Sequence, residues 1–262
     1  VLMDHATLHR VSDRAALRRV ARDLGIQLIP AERVPDGGDG ITVAASLGLP
    51  LFVKSAHANH MQRVDSLEDL PRAVAAVRAA ASAHSGSLEV YVERVVSGMR
   101  RMATTVVADA HGTCVQLGHA DGSLQLDYHV WLEQVVPTVG DAMGAAAVAL
   151  AQAVGLVGAG RVKWAVLADG SFYLLGFNAR LTTSYDLFEA HQDVDLVAAH
   201  HDALLGRRLP WDQRGADEIS RASVQVRLLH CNPTTGDRPA ERLERLFIPD
   251  VDGVVVNVGV EH

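Results

Sequence analysis

The stretch GRVKWAVLADGSFYLLGFNAR, residues 160–180, restricts the fold of this chain more than any other. Two apolar runs flank Ala168-Asp169-Gly170-Ser171, a composition that favours a tight reversal, so the runs read as two strands of one hairpin. The second run ends in Phe177-Asn178-Ala179-Arg180. A buried hairpin that ends in Asn and Arg presents polar groups to a ligand.

The rest of the chain extends this pattern. Ser12 is expected to cap a helix over 13–24, with Leu17, Val20, Ala21 and Leu24 on one face and Gly25 as its stop. A short strand over 27–30, a PDGGDG turn at 35–40 and a short helix over 41–47 ending at Gly48 come next. PLFVKS, 50–55, is a strand that delivers one lysine, Lys54. Ser66 then caps an amphipathic helix to about residue 83. Strand-like segments follow over 89–94, 101–109, 113–121 and 128–136, the middle two joined by Asp109-Ala110-His111-Gly112. An Ala-rich helix over 140–154 leads into the hairpin, and a helix over 193–205 leaves it. The last strands span 222–229 and 253–260. Strands in runs with helices between them predict an α+β fold with mostly antiparallel sheets.

Composition excludes several functions. The formal net charge is −7, and no Lys/Arg cluster is dense enough to track a phosphate backbone, so no nucleic-acid partner is expected. The long uncharged run between Asp141 and Arg161 is mostly Ala and Gly and contains Gln152. It reads as a buried helix rather than a membrane span. Cys114 and Cys231 form neither a disulfide framework nor a zinc pattern, and Val1-Leu2-Met3-Asp4-His5 carries no signal-peptide pattern. A cytoplasmic location is the expectation.

Several blocks, in order and spacing, are similar to the ATP-grasp part of biotin carboxylase, the ATP-dependent component of acetyl-CoA, propionyl-CoA and pyruvate carboxylases. They are LGLPLFVK (47–54), YVERVVSGMRR (91–101), GSLQ (122–125), GAGRVKW, FYLLGFNARL, EAHQDVDLVAAHHDALLGRRL and SVQVRLLHCNP (223–233). The resemblance runs from about residue 12 to the end. It implies an ATP-grasp fold of two α+β subdomains with antiparallel sheets, then the start of a biotin-carboxylase-type C-terminal domain. On this resemblance the family's N-terminal Rossmann-like domain is expected to be missing from this chain. The implied divisions are 1–54 (first, central part), 55–96 (small lid-like subdomain and hinge), 97–210 (large subdomain) and 211–262 (partial C-terminal region).

The same resemblance implies roles for individual residues. Lys54 and Arg14 fall where the family contacts ATP phosphates. Glu93, Arg94 and Val96 belong to the hinge that reads adenine. Asn178, Arg180 and Arg227 match polar residues of the carboxylation site, Asn178 also belonging to the metal set.

The departures concern chemistry. The loop Ser55-Ala56-His57-Ala58-Asn59-His60 contains no glycine, whereas consecutive backbone N–H groups crowd phosphates most readily on glycine. His57 and His60 have no identifiable third ligand, so they read as exposed loop histidines. The family's two metal-binding glutamates fall on Lys163 and Gly176, so Mg²⁺, which needs oxygen ligands, is not expected. Lys163 either takes the metal's place against phosphate or pairs with a nearby Asp or Glu. Bicarbonate-site residues become Arg101, Ala103, Thr105 and Val130, and the basic glutamate becomes Ser184, after Thr182 and Thr183. A serine does not accept a proton as a carboxylate does.

Three functions follow. The first is a degenerate carboxylase-like chain acting as a structural, regulatory or ligand-binding subunit beside an active carboxylase. The second is an active ATP-dependent ligase with a rebuilt site drawing on Asp121, Asp127, Asp169 or Asp186. The third is a metal-independent nucleotide sensor. ATP is the expected ligand, with biotin not covalently attached to this chain. The expected partners are an active carboxylase subunit, a separate chain carrying the N-terminal domain, or a second copy.

Overall fold

The computed structural model describes residues 4–56, 60–85, 88–126, 129–136, 142–211, 222–228, 247–248 and 251–256. The chain divides into two compact units, Val1–Arg227 and Leu228–His262. In the second, a turn closes from Val254 N–H to the Val251 carbonyl at 3.0 Å. Residues 253–256 form no strand, and the rest of the strand expected over 253–260 lies outside the described residues.

The first unit opens with α1 (His5–Ser12) and α2 (Arg14–Asp23). Asp13, not Ser12, caps α2, its carboxylate accepting from Ala15 and Ala16 N–H. Ser12 instead ends α1, its hydroxyl donating back to the Leu8 carbonyl at 2.7 Å. A four-stranded antiparallel sheet has the order β1-β4-β2-β3. Its strands are β1 (Ala31–Arg33), β2 (Leu51–Ser55), β3 (Met61–Val64) and β4 (Val90–Arg94). The strand expected over 27–30 lies later, at β1, and Leu28 makes only an isolated bridge to Leu174. Helices α3 (Ile41–Leu47) and α4 (Leu70–Ser85) belong to this part. Leu51, Val53, Leu70, Val74, Val90 and Val92 fill its core. The alternation of buried Leu51, Val53 and Ser55 with half-exposed Phe52 and Lys54 is the period-2 signature of a half-buried strand.

The second sheet has six strands in the order β10-β7-β6-β5-β8-β9. They are β5 (Arg100–Ala108), β6 (Cys114–Leu126), β7 (His129–Val136), β8 (Gly158–Val166), β9 (Phe172–Asn178) and β10 (Val224–Val226). The two expected hairpins form. Asp109 Oδ1 accepts from His111 N–H (2.8 Å) and Thr113 N–H (3.0 Å), and Asp169 Oδ1 accepts from Ser171 N–H (2.9 Å).

One face of this sheet carries Met102, Val106, Val162 and Trp164, packed with α5 (Ala142–Val154) and α2 residues. The other carries Val107, Val115, Leu117 and Ala159 with α6 (Tyr185–Gln192) and α7 (Leu196–Leu204). Burial of a side chain such as Phe188 or Trp164, both 0 % exposed, contributes about 2–3 kcal/mol. The helix expected over 193–205 is α7, capped by Asp195, and an unexpected helix, α6, precedes it and ends where Asp193 adopts φ 54°. Gly158 is required where it stands: at φ 91°, a Cβ would lie 2.6 Å from His200 Nδ1, which accepts from Ala159 N–H.

Candidate functional site

Alternation along β8 places Arg161 and Lys163 on the same sheet face as Ala159, opposite Val162 and Trp164. On β5 the residues of that face are Arg101, Ala103, Thr105 and Val107. The register sets Ala103 against Lys163 and Thr105 against Arg161, while β9 sets Gly176 against Lys163 and Asn178 against Arg161. Toward α6 and α7 this face is apolar; toward the other strand ends it is charged.

A cleft of about 390 Å³ opens at the charged end. Its polar lining is Ser12, Arg14, Arg18, Glu93, Lys163, Asn178 and Arg180, and α1, α2 and β9 add Leu8, Val11, Leu17, Leu174, Leu175 and Phe177. Of the expected site residues, the structure thus brings together Arg14, Glu93, Lys163, Asn178 and Arg180. Arg18 joins them. Its signal was present in the sequence, because a residue four after Arg14 shares its helix face.

Glu93, 5 % exposed, organises one wall. It forms an ion pair with Lys54 and lies 3.8 Å from Arg18 Nη1. Lys54 is therefore engaged with a carboxylate and does not line the cleft. Burial lowers the pKa of the Lys54 ammonium, and Glu93 opposes that shift. Arg14 Nε donates to the Ser55 carbonyl at 3.3 Å. The hinge segment is also engaged: Arg94 N–H donates to Pro30 O and Val95 N–H to Pro50 O, each at 3.0 Å. The Arg94 side chain is exposed, and Val96 is half-buried outside the cleft.

A second carboxylate, Glu133 on β7, 2 % exposed, pairs with Arg161 and accepts from the Ser184 hydroxyl. A Cβ at Gly122 would press on Val130 Cγ1 at 3.3 Å and stand in ordinary contact, 3.6 Å, with Glu133 Oε1. Ser184 is 1 % exposed, and Arg227 reaches Thr183 Oγ1 and, at 3.3 Å, Ser184 Oγ. Burial and the neighbouring Arg227 lower the pKa of the Arg161 guanidinium, and its Nε has no hydrogen-bond partner among the described residues. Sequence reading missed the Glu133–Arg161 pair, because nothing local joins residues on β7 and β8.

Lys163 contrasts with both lysine and arginine pairs. Among the described residues no carboxylate pairs with it. Desolvation by the cleft walls and repulsion from Arg161, Arg180 and Arg101 all lower its pKa. Asp121 instead binds Arg100, Asp169 closes its hairpin turn, and Asp186 accepts from Gln225, so none of them lines the cleft. Asp127, His57 and Asn59 lie outside the described residues. No group of three His, Cys, Asp or Glu residues fit to hold a metal occurs among the described residues.

Residues 13–211 match the family described as the carbamoyl-phosphate synthase L chain, ATP binding domain. The chain is 30% identical over 264 residues to the mitochondrial methylcrotonoyl-CoA carboxylase subunit alpha of Dictyostelium discoideum, covering 96% of this chain and 38% of that protein. It is 26% identical to biotin carboxylase 2 of Bacillus subtilis, covering 94% of this chain and 57% of the other. Among solved structures, a biotin carboxylase–β,γ-ATP complex from Campylobacter jejuni superposes with a TM-score of 0.78 at 21% identity, over 89% of this chain and 54% of that one. This shows the fold to be that of biotin carboxylase. The chain spans about half, or less, of the length of these relatives.

Proposed function

Because the chain belongs to the family of the carbamoyl-phosphate synthase L chain ATP-binding domain, we propose that it is a biotin-carboxylase-like ATP-grasp domain that has lost carboxylation. It acts as a structural, regulatory or ligand-binding subunit of an acyl-CoA-carboxylase-type assembly. The observation that carries this reading is Lys163, a cation in the cleft without a carboxylate partner among the described residues.

Resemblance to the family implies Mg²⁺ between protein carboxylates and the ATP phosphates, with two glutamates at positions 163 and 176. The residues present do not fit that ion. Mg²⁺ takes hard oxygen ligands, and the cleft offers Arg14, Arg18, Lys163 and Arg180 against Glu93, which is already bonded to Lys54. Metal assistance is worth several kcal/mol of barrier, and each ~1.4 kcal/mol is tenfold in rate, so its loss removes several orders of magnitude. The base is also missing. Ser184, at the base position, is buried and its hydroxyl donates a hydrogen bond to Glu133, and an alcohol is a far weaker base than the carboxylate whose position it takes.

On this reading the proposed site divides between the subdomains 1–54, 55–96 and 97–210. Arg14, Lys54, Glu93, Arg94 and Val96 stand on the first two, Lys163, Asn178 and Arg180 on the third, and Arg227 in the partial C-terminal region 211–262. ATP is the proposed ligand, biotin is not covalently carried by this chain, and partners are a carboxylase subunit, a chain bearing the N-terminal domain, or a second copy. A reducing cytosol suits Cys114, whose burial pushes its thiol up to about 12 and leaves it unreactive.

The test is incubation of the protein with ATP, Mg²⁺, bicarbonate and free biotin. Carboxybiotin at background level is expected. Turnover well above background would overturn the reading and favour a rebuilt active site.

A further inference from the structure

We propose that the cleft is an oxyanion site, which holds a polyphosphate group directly on protein cations and for which a divalent metal is a competitor rather than a bridge. The proposal rests on the reading above and names the ligand chemistry of that same site.

Three observations converge. The first is charge. A chain of net charge −7 gathers Arg14, Arg18, Lys163 and Arg180 around one small cleft, with Glu93 as the sole carboxylate in its lining among the described residues. An acidic protein that concentrates cations at one concave place focuses a positive potential there.

The second is geometry. Lys163 and Arg161 are two apart on β8 and share a face. Arg101 on β5 pairs with Ala165, which makes Arg101 a diagonal neighbour of Lys163 on that face. Arg180 follows directly from β9, whose Gly176 opposes Lys163 without a side chain to cover it. A Cβ at Gly176 would meet nothing within 4 Å, so the space beside Lys163 is open.

The third is the placement of carboxylates. Glu93 is taken by Lys54 and Arg18 at one end of the row, and Glu133 by Arg161 and Ser184 at the other. Between these ends no carboxylate among the described residues pairs with Lys163, which lies within electrostatic reach of Arg161, Arg180 and Arg101.

Like charges held together in a partly desolvated cleft destabilise the folded chain unless an anion joins them. One group with several adjacent oxygens and at least two negative charges suits the arrangement. Arg180 offers a planar fork and Lys163 a point charge, the two modes by which proteins grip phosphate. A divalent cation would meet repulsion from the same residues. In solution it would also neutralise the anion the cleft recognises. The apolar part of the lining, Val11, Leu17, Leu174 and Phe177, leaves a surface for a hydrophobic group attached to the anion.

The test is calorimetric titration of the full chain with inorganic diphosphate and, separately, with ATP, in EDTA and then in millimolar excess Mg²⁺. Expected is binding in EDTA, at least tenfold weaker in excess Mg²⁺, weakened at least tenfold by Lys163→Ala and retained by Lys163→Arg. ATP binding tighter than diphosphate identifies a nucleotide as the ligand; equal affinities identify the phosphate chain alone. Absence of binding by both anions in EDTA overturns the proposal. So does binding that requires Mg²⁺, or binding that Lys163→Ala leaves unchanged in a variant whose melting temperature matches the parent. Carboxybiotin formation, by contrast, overturns the loss of carboxylation whatever the calorimetry shows. No carboxybiotin and no anion binding sinks the oxyanion site alone.

Discussion

The six-stranded sheet buries a polar triad in each of its faces, and the two are built on different principles. On one face, Trp164 Nε1–H donates to Thr104 Oγ1 at 2.9 Å, and the Thr104 hydroxyl meets His119 Nδ1 at 2.8 Å. All three are neutral, and Met102, Val106 and Val162 lie on the same face. On the other face, Glu133, Arg161 and Ser184 form a charged cluster that Arg227 extends. The neutral triad is closed: Trp164 has one donor and it is used, and desolvation keeps His119 uncharged, its pKa pushed down to about 4. The charged triad is open, with an Arg161 Nε unmatched among the described residues and further cations continuing toward the cleft. A closed network fixes a core, whereas an open one leaves charge for something outside the protein to answer.

Three measurements test this contrast. The largest effect is expected from Glu133→Ala, which leaves Arg161 buried without a counter-charge; breaking such a pair destabilises by about 4 kcal/mol. Chemical denaturation checks it, and a loss under about 1 kcal/mol would show that Arg161 reaches water and that the charged triad is not buried.

Acid comes next. His119 is neutral when folded and takes a proton more readily when unfolded, so the unfolded chain binds more protons between its ordinary value of 6.5 and the folded value of about 4. Stability from this residue is complete above pH 6.5 and is lost as pH falls through that window, by about 3 kcal/mol in all. Unfolding curves at pH 7, 5.5 and 4 should show the decline, and His119→Gln should flatten it. A decline unchanged in that variant would assign acid sensitivity to the charged face instead.

The smallest effect belongs to Thr104→Val, which removes one hydroxyl and strands the Trp164 N–H and a histidine nitrogen. About 2 kcal/mol is expected. If it equals the Glu133→Ala loss, the two triads are energetically alike and the contrast fails.

Legibility in the sequence followed the range of the interaction. The helix Ile41–Leu47 was readable because Gly40 and Gly48 bracket it, and both hairpins were readable because Asp109 and Asp169 bind backbone N–H groups two to four residues ahead. Helix α6 was not, since its stop is Asp193 at φ 54°, a left-handed conformation that no glycine announces. Strand β3 was hidden in four residues, Met61–Val64, whose pairing with β2 supplies its order. Of the candidate site, Lys163, Asn178 and Arg180 were visible from their positions on the hairpin. Arg161 was not distinguished from an ordinary strand residue, although alternation already set it beside Lys163.

By itself, then, the sequence determined the faces. Period-2 alternation along β8 and tight turns at its borders dictate that Arg161 and Lys163 look the same way and that Trp164 looks the other. Only the tertiary structure decided which cations would be neutralised. Lys54 meets Glu93 from 39 residues away and Arg161 meets Glu133 from 28, while Lys163, between them, meets no carboxylate among the described residues. The reason is that backbone periodicity acts along the chain, whereas Coulomb attraction acts through space and depends on distances that only the packed sheets define.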